Sequence, residues 1–358
     1  MEVAPGRFAD RIRSAAADGR RLCLRGGGSK DFYGGPMAGD PLDVRDHAGI
    51  VSYEPTELVV TARGGTPLAE LEGALAERNQ MLSFEPPHFG AGATLGGCVA
   101  AGLSGPRRAA NGLYYGAVRD YVLGCVLMDG RGDVMRFGGQ VMKNVAGYDV
   151  SRLAVGSMGT LGVILEISVK VLPVPVARTT VRLELGEAEA LEKLNEWGGQ
   201  PLPISASLWC SNELHVRLEG AAAAVDAARR KLGGQEVDDA AATGLWRGVR
   251  DQSDEFFAKP GVLWRLSVPS TAAPIALPGH QLVEWGGALR WWKTDAGAET
   301  VRGAARAAAG NATQFRGGDR SAGVFDRLDP VVAGLHRKVK AAFDPAGVFN
   351  PLRLHPEW

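Results

Sequence analysis

Residues 156–171 read GSMGTLGVILEISVKV, a glycine-rich loop that runs directly into a strand. From Val163 to Val171 every odd position is apolar (Val163, Leu165, Ile167, Val169, Val171). Glu166, Ser168 and Lys170 alternate with them, which is the period-2 pattern of a half-buried strand. Upstream, YVLGCVLM (121–128) and VMRF (134–137) flank DGRGD, a turn-rich linker of hairpin length. Further back, IVSY (50–53) and ELVVTAR (57–63) read as strands. They lead into a helix with Thr66 as N-cap, Pro67 at N1 and Leu68, Leu71 and Leu75 as its buried stripe. Short strands with a few helices make this an α+β domain and not a Rossmann unit.

The segment LPVPVA, 172–177, ends the apolar run with two prolines and marks the exit from this domain. All six tyrosines precede residue 149, and all eight tryptophans follow residue 196, so two separate cores are expected: residues 1–175 and residues 176–358. The second region opens with TTVRLEL (strand), EAEALEKLNEW (helix), ISASLWC and ELHVRLEG (strand pair) and AAAAVDAARRKL (helix), the order of a ferredoxin-like layer. VLWRLSV and ALRWWK read as further strands. An Ala-rich helix near 298–309 and a last helix from Asp329 to Phe343 precede the tail DPAGVFNPLRL. No internal repeat is evident in the sequence.

The 358 residues include 49 glycines, about twice the usual share, beside ordinary hydrophobic (45%) and charged (22%) fractions, so the chain folds and is neither collagen-like nor a disordered linker. Of those glycines, 29 fall in the first 175 residues. Forty basic residues balance forty acidic ones, with 18 of each in the first region, leaving no basic half for nucleic acid or an anionic membrane. Cys23, Cys98, Cys125 and Cys210 are far apart and form no CxxC pair, which fits reduced thiols in the cytoplasm and leaves iron–sulfur ligation to a partner. No segment is long and apolar enough to be read as an integral membrane span or a signal peptide.

Three glycine loops concentrate in the first region. In Leu24-Arg25-Gly26-Gly27-Gly28-Ser29-Lys30 the adjacent glycines free successive backbone N–H groups to converge on an anion, and Arg25 and Lys30 add positive charge. The second loop runs GAGATLGGCVAAGLSG from Gly90 to Gly105; Thr94 and Ser104 could donate to phosphate or ribityl oxygens. The third is Gly156 to Gly162, with another loop upstream at Lys143-Asn144-Val145-Ala146-Gly147-Tyr148-Asp149. Each alone also reads as a turn or, for the second, a helix packed through small residues. Together they call for a large, flat, phosphate-bearing ligand.

RGGGSK, ATLGG and GSMGTLGVI resemble the FAD-binding domain of the vanillyl-alcohol oxidase and p-cresol methylhydroxylase (PCMH-type) superfamily. More closely, EPPHFGAGATLGGCVAAGLSGPRR, RFGGQVMKNVAGYDVSRL and FDPAGVFNP resemble the FAD-binding E subunits of bacterial glycolate oxidases, over essentially the whole chain. The resemblance implies a two-part PCMH-type FAD-binding domain followed by a ferredoxin-like cap with a C-terminal return helix. It places FAD contacts at Arg25, Gly26, Gly27, Gly28, Ser29 and Lys30, at Thr94, Gly96, Gly97 and Gly105, and at Gly159, Thr160, Gly162, Val163 and Ile164. Many superfamily members anchor the flavin through a first-loop His; Ser29 stands there, which implies non-covalent FAD. The family's NPG is here Asn350-Pro351-Leu352. Implied partners are a larger homologous FAD-binding subunit that oxidises glycolate and an iron–sulfur subunit, through which a cytoplasmic chain could reach a membrane.

The substrate side is barely marked. Oxidising a 2-hydroxy acid takes a cation for the carboxylate and a base for the hydroxyl proton. The six histidines form no short metal-ligand motif, so no metal is expected. His88 lies beside the second loop and reads as either a flavin-facing or a structural imidazole. Arg290 in GGALRWWK and Arg316 in TQFRGGD are candidate carboxylate binders or snorkelling structural arginines. Cys98 reads as a buried apolar filler. A self-sufficient flavoenzyme for another hydroxy acid or alcohol, and a cofactor-free scaffold with a flavoprotein fold, are the rival readings.

Overall fold

A computed structural model of the chain describes residues 3–108, 116–139 and 148–357. The Lys143–Gly147 part of the KNVAGYD segment lies outside the described residues. The first domain is built on a five-stranded antiparallel sheet in the order Ile50–Glu54, Val59–Arg63, Val163–Lys170, Val122–Met128, Val134–Gly138. The expected hairpin across DGRGD is present.

The strand from Val163 sits third of five and is buried on both sides, not half-buried as its alternation suggests. A register shift opposite Val126 and Leu127 redirects it between Leu165 and Ile167. Val163 and Leu165 therefore join Phe8 and Ile12 of the N-terminal helix Val3–Ala17. Ile167 and Val169, together with Ile164, join Leu68, Leu71 and Leu75 on the other side. Those three leucines are fully buried along the helix Leu68–Ala76, as their spacing predicts. Thr66 does not cap that helix. Pro67 occupies the N-cap position, and the Thr66 hydroxyl instead accepts from the Gly49 N–H (3.0 Å) and donates to its carbonyl (3.2 Å), tying two loops together.

The cap is an eight-stranded antiparallel sheet, and its order reveals a duplication invisible in the sequence. Gln235–Val237, Ala177–Glu184, Glu213–Gly220 and Ile204–Cys210 follow the 4-1-3-2 order of a ferredoxin-like layer. His280–Glu284, Leu289–Thr294, Val262–Ser267 and Asn311–Arg316 repeat that order in mirror sequence, 2-3-1-4. The two quartets meet through Leu208 and Trp209 against Glu284 and Val283. The repeat is hidden because its first crossover, residues 268–279, is a proline-rich loop where the first copy has the helix Glu187–Gly198.

Arg290 explains how that loop is held. It is fully buried, and its guanidinium donates to the carbonyls of Ala272, Ala273 and Gly287, with Glu187 at 3.6 Å. This is the structural role, not a carboxylate-binding one.

The chain returns to the first domain at its end. The helix Pro330–Phe343 places Lys340 beneath the third glycine loop, where its ammonium donates to Thr160 O (2.8 Å), Phe349 O (2.9 Å) and Asp344 (2.6 Å). Val348 and Phe349 are fully buried in the core formed with Phe8 and Leu22. Residues from Pro330 onward thus complete the core of the first domain although they follow the cap in sequence. The two domains also meet through four charges. Arg107 pairs with Glu219 (2.5 Å) and Glu85 (3.4 Å), and Arg217 pairs with Glu85 (2.9 Å) and Glu219 (3.3 Å).

Candidate functional site

The three glycine loops and the C-terminal return converge on one open groove, continuous with solvent. The first loop leaves the strand Leu22–Arg25, which pairs in parallel with Asp40–Asp43. Its course is set by contact with the second loop: a Cβ on Gly27 would lie 1.4 Å from the Gly92 carbonyl oxygen. Only glycine permits backbone to meet backbone there. Gly28 then takes a left-handed turn at φ +73°. Across Gly26 to Lys30, none of the five backbone N–H groups has an acceptor among the described residues. Thr94 caps the short helix Leu95–Ala101, its hydroxyl accepting from Gly97 N–H at 3.2 Å, and Gly96 and Gly97 line the groove beside it.

Asn350 clamps the groove from behind. Its side-chain oxygen accepts from Leu24 N–H at 2.6 Å, just before the first loop, and its amide donates to Met158 O at 2.7 Å, just before Gly159. Arg353 donates to Gly35 O and, at 3.1 Å, to Lys30 O. Leu352 between them holds φ +62°, the left-handed region that the glycine of the NPG pattern would enter freely.

The groove is electropositive. Arg25 pairs with Asp31 at 2.6 Å. Among the described residues the Lys30 ammonium has Ser29 Oγ and His88 O, each at 3.4 Å, as hydrogen-bond acceptors and the Phe89 ring centroid at 5.6 Å, and burial lowers its pKa. Arg353 has no carboxylate at ion-pair distance among the described residues, and burial lowers its pKa too. A run of unpaired N–H groups flanked by two cations without counter-ions fits a diphosphate, so the residues present fit FAD.

Of the residues expected from the sequence, Arg25 to Lys30, Thr94, Gly96, Gly97, Gly159, Gly162, Val163 and Ile164 line this one groove. Two others stand outside it. Gly105 packs against Glu85, and its carbonyl accepts from the Trp285 indole at 3.0 Å. Thr160 turns its hydroxyl onto Ser157 O at 2.7 Å and offers its carbonyl to Lys340. Cys98 is buried, and burial pushes its thiol up to about 11.

Arg316 and His88 line a side cleft next to the groove, with Phe32, Phe89 and Asp251. The Arg316 guanidinium lies 4.3 Å from the Phe32 ring centroid and 5.6 Å from that of Phe89, with no carboxylate at ion-pair distance among the described residues. The His88 imidazole Nε2 lies 3.0 Å from Glu72 without a well-aligned hydrogen bond, and its backbone N–H donates to Asp251 at 3.0 Å. The sequence reading missed Asn350 and Arg353 as groove residues. The phrase FDPAGVFNP was the available signal, but nothing in it shows that a tail some three hundred residues downstream reaches the first loop.

Residues 6–138 match the family described as "FAD binding domain". The chain is 50% identical over 348 residues to the glycolate oxidase subunit GlcE of Escherichia coli (strain K12), covering 97% of this chain and 96% of that protein. It is 35% identical over 132 residues to the glycolate oxidase subunit GlcD of Bacillus subtilis (strain 168), covering 37% of this chain and 27% of the relative. Among solved structures, an alkyldihydroxyacetonephosphate synthase superposes with a TM-score of 0.64 at 15% identity, covering 96% of this chain and 73% of the other. That likeness shows the fold alone.

Proposed function

Because the chain belongs to the family of glycolate oxidase GlcE subunits and is an FAD-dependent oxidoreductase, we propose that it is the FAD-holding subunit of a multisubunit complex oxidising glycolate to glyoxylate. The observation that carries this reading is the groove itself, with its five unpaired N–H groups from Gly26 to Lys30 and the cations Lys30 and Arg353. Arg25 through Lys30 hold the pyrophosphate, and Gly159, Gly162, Val163 and Ile164 lie along the rest of the cofactor. The flavin is held without a covalent bond to the first loop, where Ser29 offers no nucleophile comparable to an imidazole. When bound, FAD supplies the acceptor for a hydride equivalent.

The complex contains a larger homologous flavoprotein subunit and an iron–sulfur subunit. The GlcD relative supports the first partner, since two proteins from different bacteria, each named as a glycolate oxidase subunit, share sequence with this chain. Widely spaced cysteines in this chain leave cluster ligation to the second. No helix among the described residues is long and apolar enough to cross a membrane.

A second reading, catalysis by this chain alone, draws support from the free Arg316 guanidinium in the cleft beside the groove. Affinity purification from the native host separates the two. Recovery of flavin-loaded chain with a second flavoprotein and an iron–sulfur protein, and glycolate bleaching of flavin only in that assembly, supports the subunit reading. A monomer whose flavin is bleached by glycolate overturns it.

A further inference from the structure

A cavity of about 250 Å³ lies where the cap meets the first domain, and it shares no lining residue with the flavin groove or the side cleft. Its walls are about as polar as apolar, and Leu194, Trp197, Ile204 and Trp285 from the cap supply the apolar part. The polar side chains in the wall are mostly spoken for. Asn195 and Ser270 hydrogen-bond to each other at 2.9 Å, Asn195 also donates to Leu191 O and Ser270 O, and Ser207 Oγ accepts from Gly286 N–H at 2.9 Å.

Arg108 is different. Among the described residues it is the first domain's contribution to the cavity, and its guanidinium lies 4.4 Å from the Trp285 ring centroid. Among the described residues it has neither a side-chain hydrogen-bond acceptor nor a carboxylate at ion-pair distance. A second guanidinium, Arg265, lies 5.3 Å from the same ring. Burial first, then Arg265 and Arg119, pull the Arg108 pKa down to about 10 against a smaller opposing pull from Asp120. Withdrawing a guanidinium from water next to a like charge is unfavourable, and a cation–π contact recovers only part of that. The plate beneath it is held in a costly conformation as well. Trp285 sits at φ +54°, with its indole N–H fixed on Gly105 O at 3.0 Å.

We propose that this cavity binds an organic monocarboxylate with an apolar body, its carboxylate paired with Arg108 and its body lodged between Trp197 and Trp285. A single cavity-lining guanidinium beside the side chains of Leu194, Trp197 and Ile204 matches one negative charge on an apolar body, where a phosphate would call for further donors. The volume exceeds what a two-carbon hydroxy acid fills, so the ligand is distinct from glycolate. Among the described residues Arg108 comes from one domain and the remaining walls from the other, so occupancy also braces the cap against the first domain.

The test is calorimetric titration of the FAD-loaded full chain with phenylacetate, indole-3-acetate and hexanoate, and with phenylacetamide as the neutral isostere. The expected result is saturable binding of at least one carboxylate below about 10 mM, with the amide roughly tenfold or more weaker. Arg108→Met abolishes that preference while flavin absorbance and the melting temperature report an intact fold; Arg108→Lys retains part of it. Saturation by none of the three acids, equal binding of acid and amide, or unchanged binding in Arg108→Met overturns the proposal. Flavin content is read separately in each sample, so a failure of the FAD assignment is not confused with a failure of this one.

Discussion

Asn350 accepts a hydrogen bond from the backbone of Leu24 at 2.6 Å across 326 positions of sequence, and the same side chain donates to Met158 O at 2.7 Å. One buried amide thereby fixes the distance between the first and third glycine loops, the two walls of the proposed pyrophosphate site. Its placement depends on Lys340 and Asp344 locking the return segment into the first domain's core.

Asn350→Ala therefore strands the Leu24 N–H and the Met158 carbonyl, at about 1–3 kcal/mol each where burial denies them water. The expected outcome is an FAD affinity lowered roughly 10- to 100-fold, in a chain that still melts cooperatively. Titration of stripped protein with FAD, paired with circular dichroism melts, measures both. Unchanged affinity would remove Asn350 from the site.

Two glycines give opposite outcomes for one methyl group. Gly27→Ala drives Cβ to within 1.4 Å of Gly92 O, so the first two loops part and flavin is lost. The defect is in loop packing; the added group does not project at the cofactor. Gly73, in the helix Leu68–Ala76, has open space around its Cβ position. Gly73→Ala stabilises by about 0.5–1 kcal/mol with flavin content unchanged. Flavin absorbance and denaturant melts of the two variants check the contrast.

The charge network at the domain interface predicts acid sensitivity. Burial pushes the Glu85 carboxyl up, but Arg217 and Arg107 together outweigh it and hold the carboxyl down at about 2. A carboxylate lowered on folding adds stability above its unfolded value near 4.5, and that contribution is lost as pH falls toward 2. The loss is on the order of 3 kcal/mol, read from denaturant midpoints between pH 5 and pH 2. Arg217→Met leaves Glu85 and Glu219 short of a partner and costs about 3–5 kcal/mol at neutral pH.

Glu284 carries the opposite sign. Burial raises its carboxyl to about 8 despite the Trp291 indole N–H at 2.7 Å and the nearby Arg265. The folded chain keeps this proton while the unfolded chain releases it near pH 4.5, so stability falls as pH rises from about 4.5 to 8. Glu284→Gln keeps an acceptor for Trp291 and removes that fall. The variant should match the parent at pH 5 and exceed it at pH 8 in thermal melts, and a gap that narrows with pH contradicts the assignment.

Local patterns carried much of the architecture. Leu68, Leu71 and Leu75 mark their helix, DGRGD marks its hairpin, and the order of elements from Ala177 to Leu232 announces the ferredoxin-like layer. Relations between distant segments were silent. The second quartet is masked by a crossover without a helix, so the duplication shows only in strand order. Thr66 has the chemistry of a cap but lies beside Gly49, whose hydrogen bonds take its hydroxyl. Arg290 stood out for its glycine and tryptophan neighbours, yet it serves two carbonyls of the loop that replaces the missing helix, Ala272 and Ala273, and that of Gly287. The glycine loops were legible because close backbone approach leaves a compositional mark. Asn350 and Arg353 act through contacts some three hundred residues away and leave none.

The central claim is that one groove in this chain holds one flavin. The most direct measurement is the FAD-to-protein ratio of freshly purified native chain, taken from absorbance before and after acid precipitation. The account predicts about one FAD per chain, all released into the supernatant because no covalent bond retains it. A colourless chain that takes up no FAD on reconstitution, or flavin that stays with the precipitated protein, would contradict it.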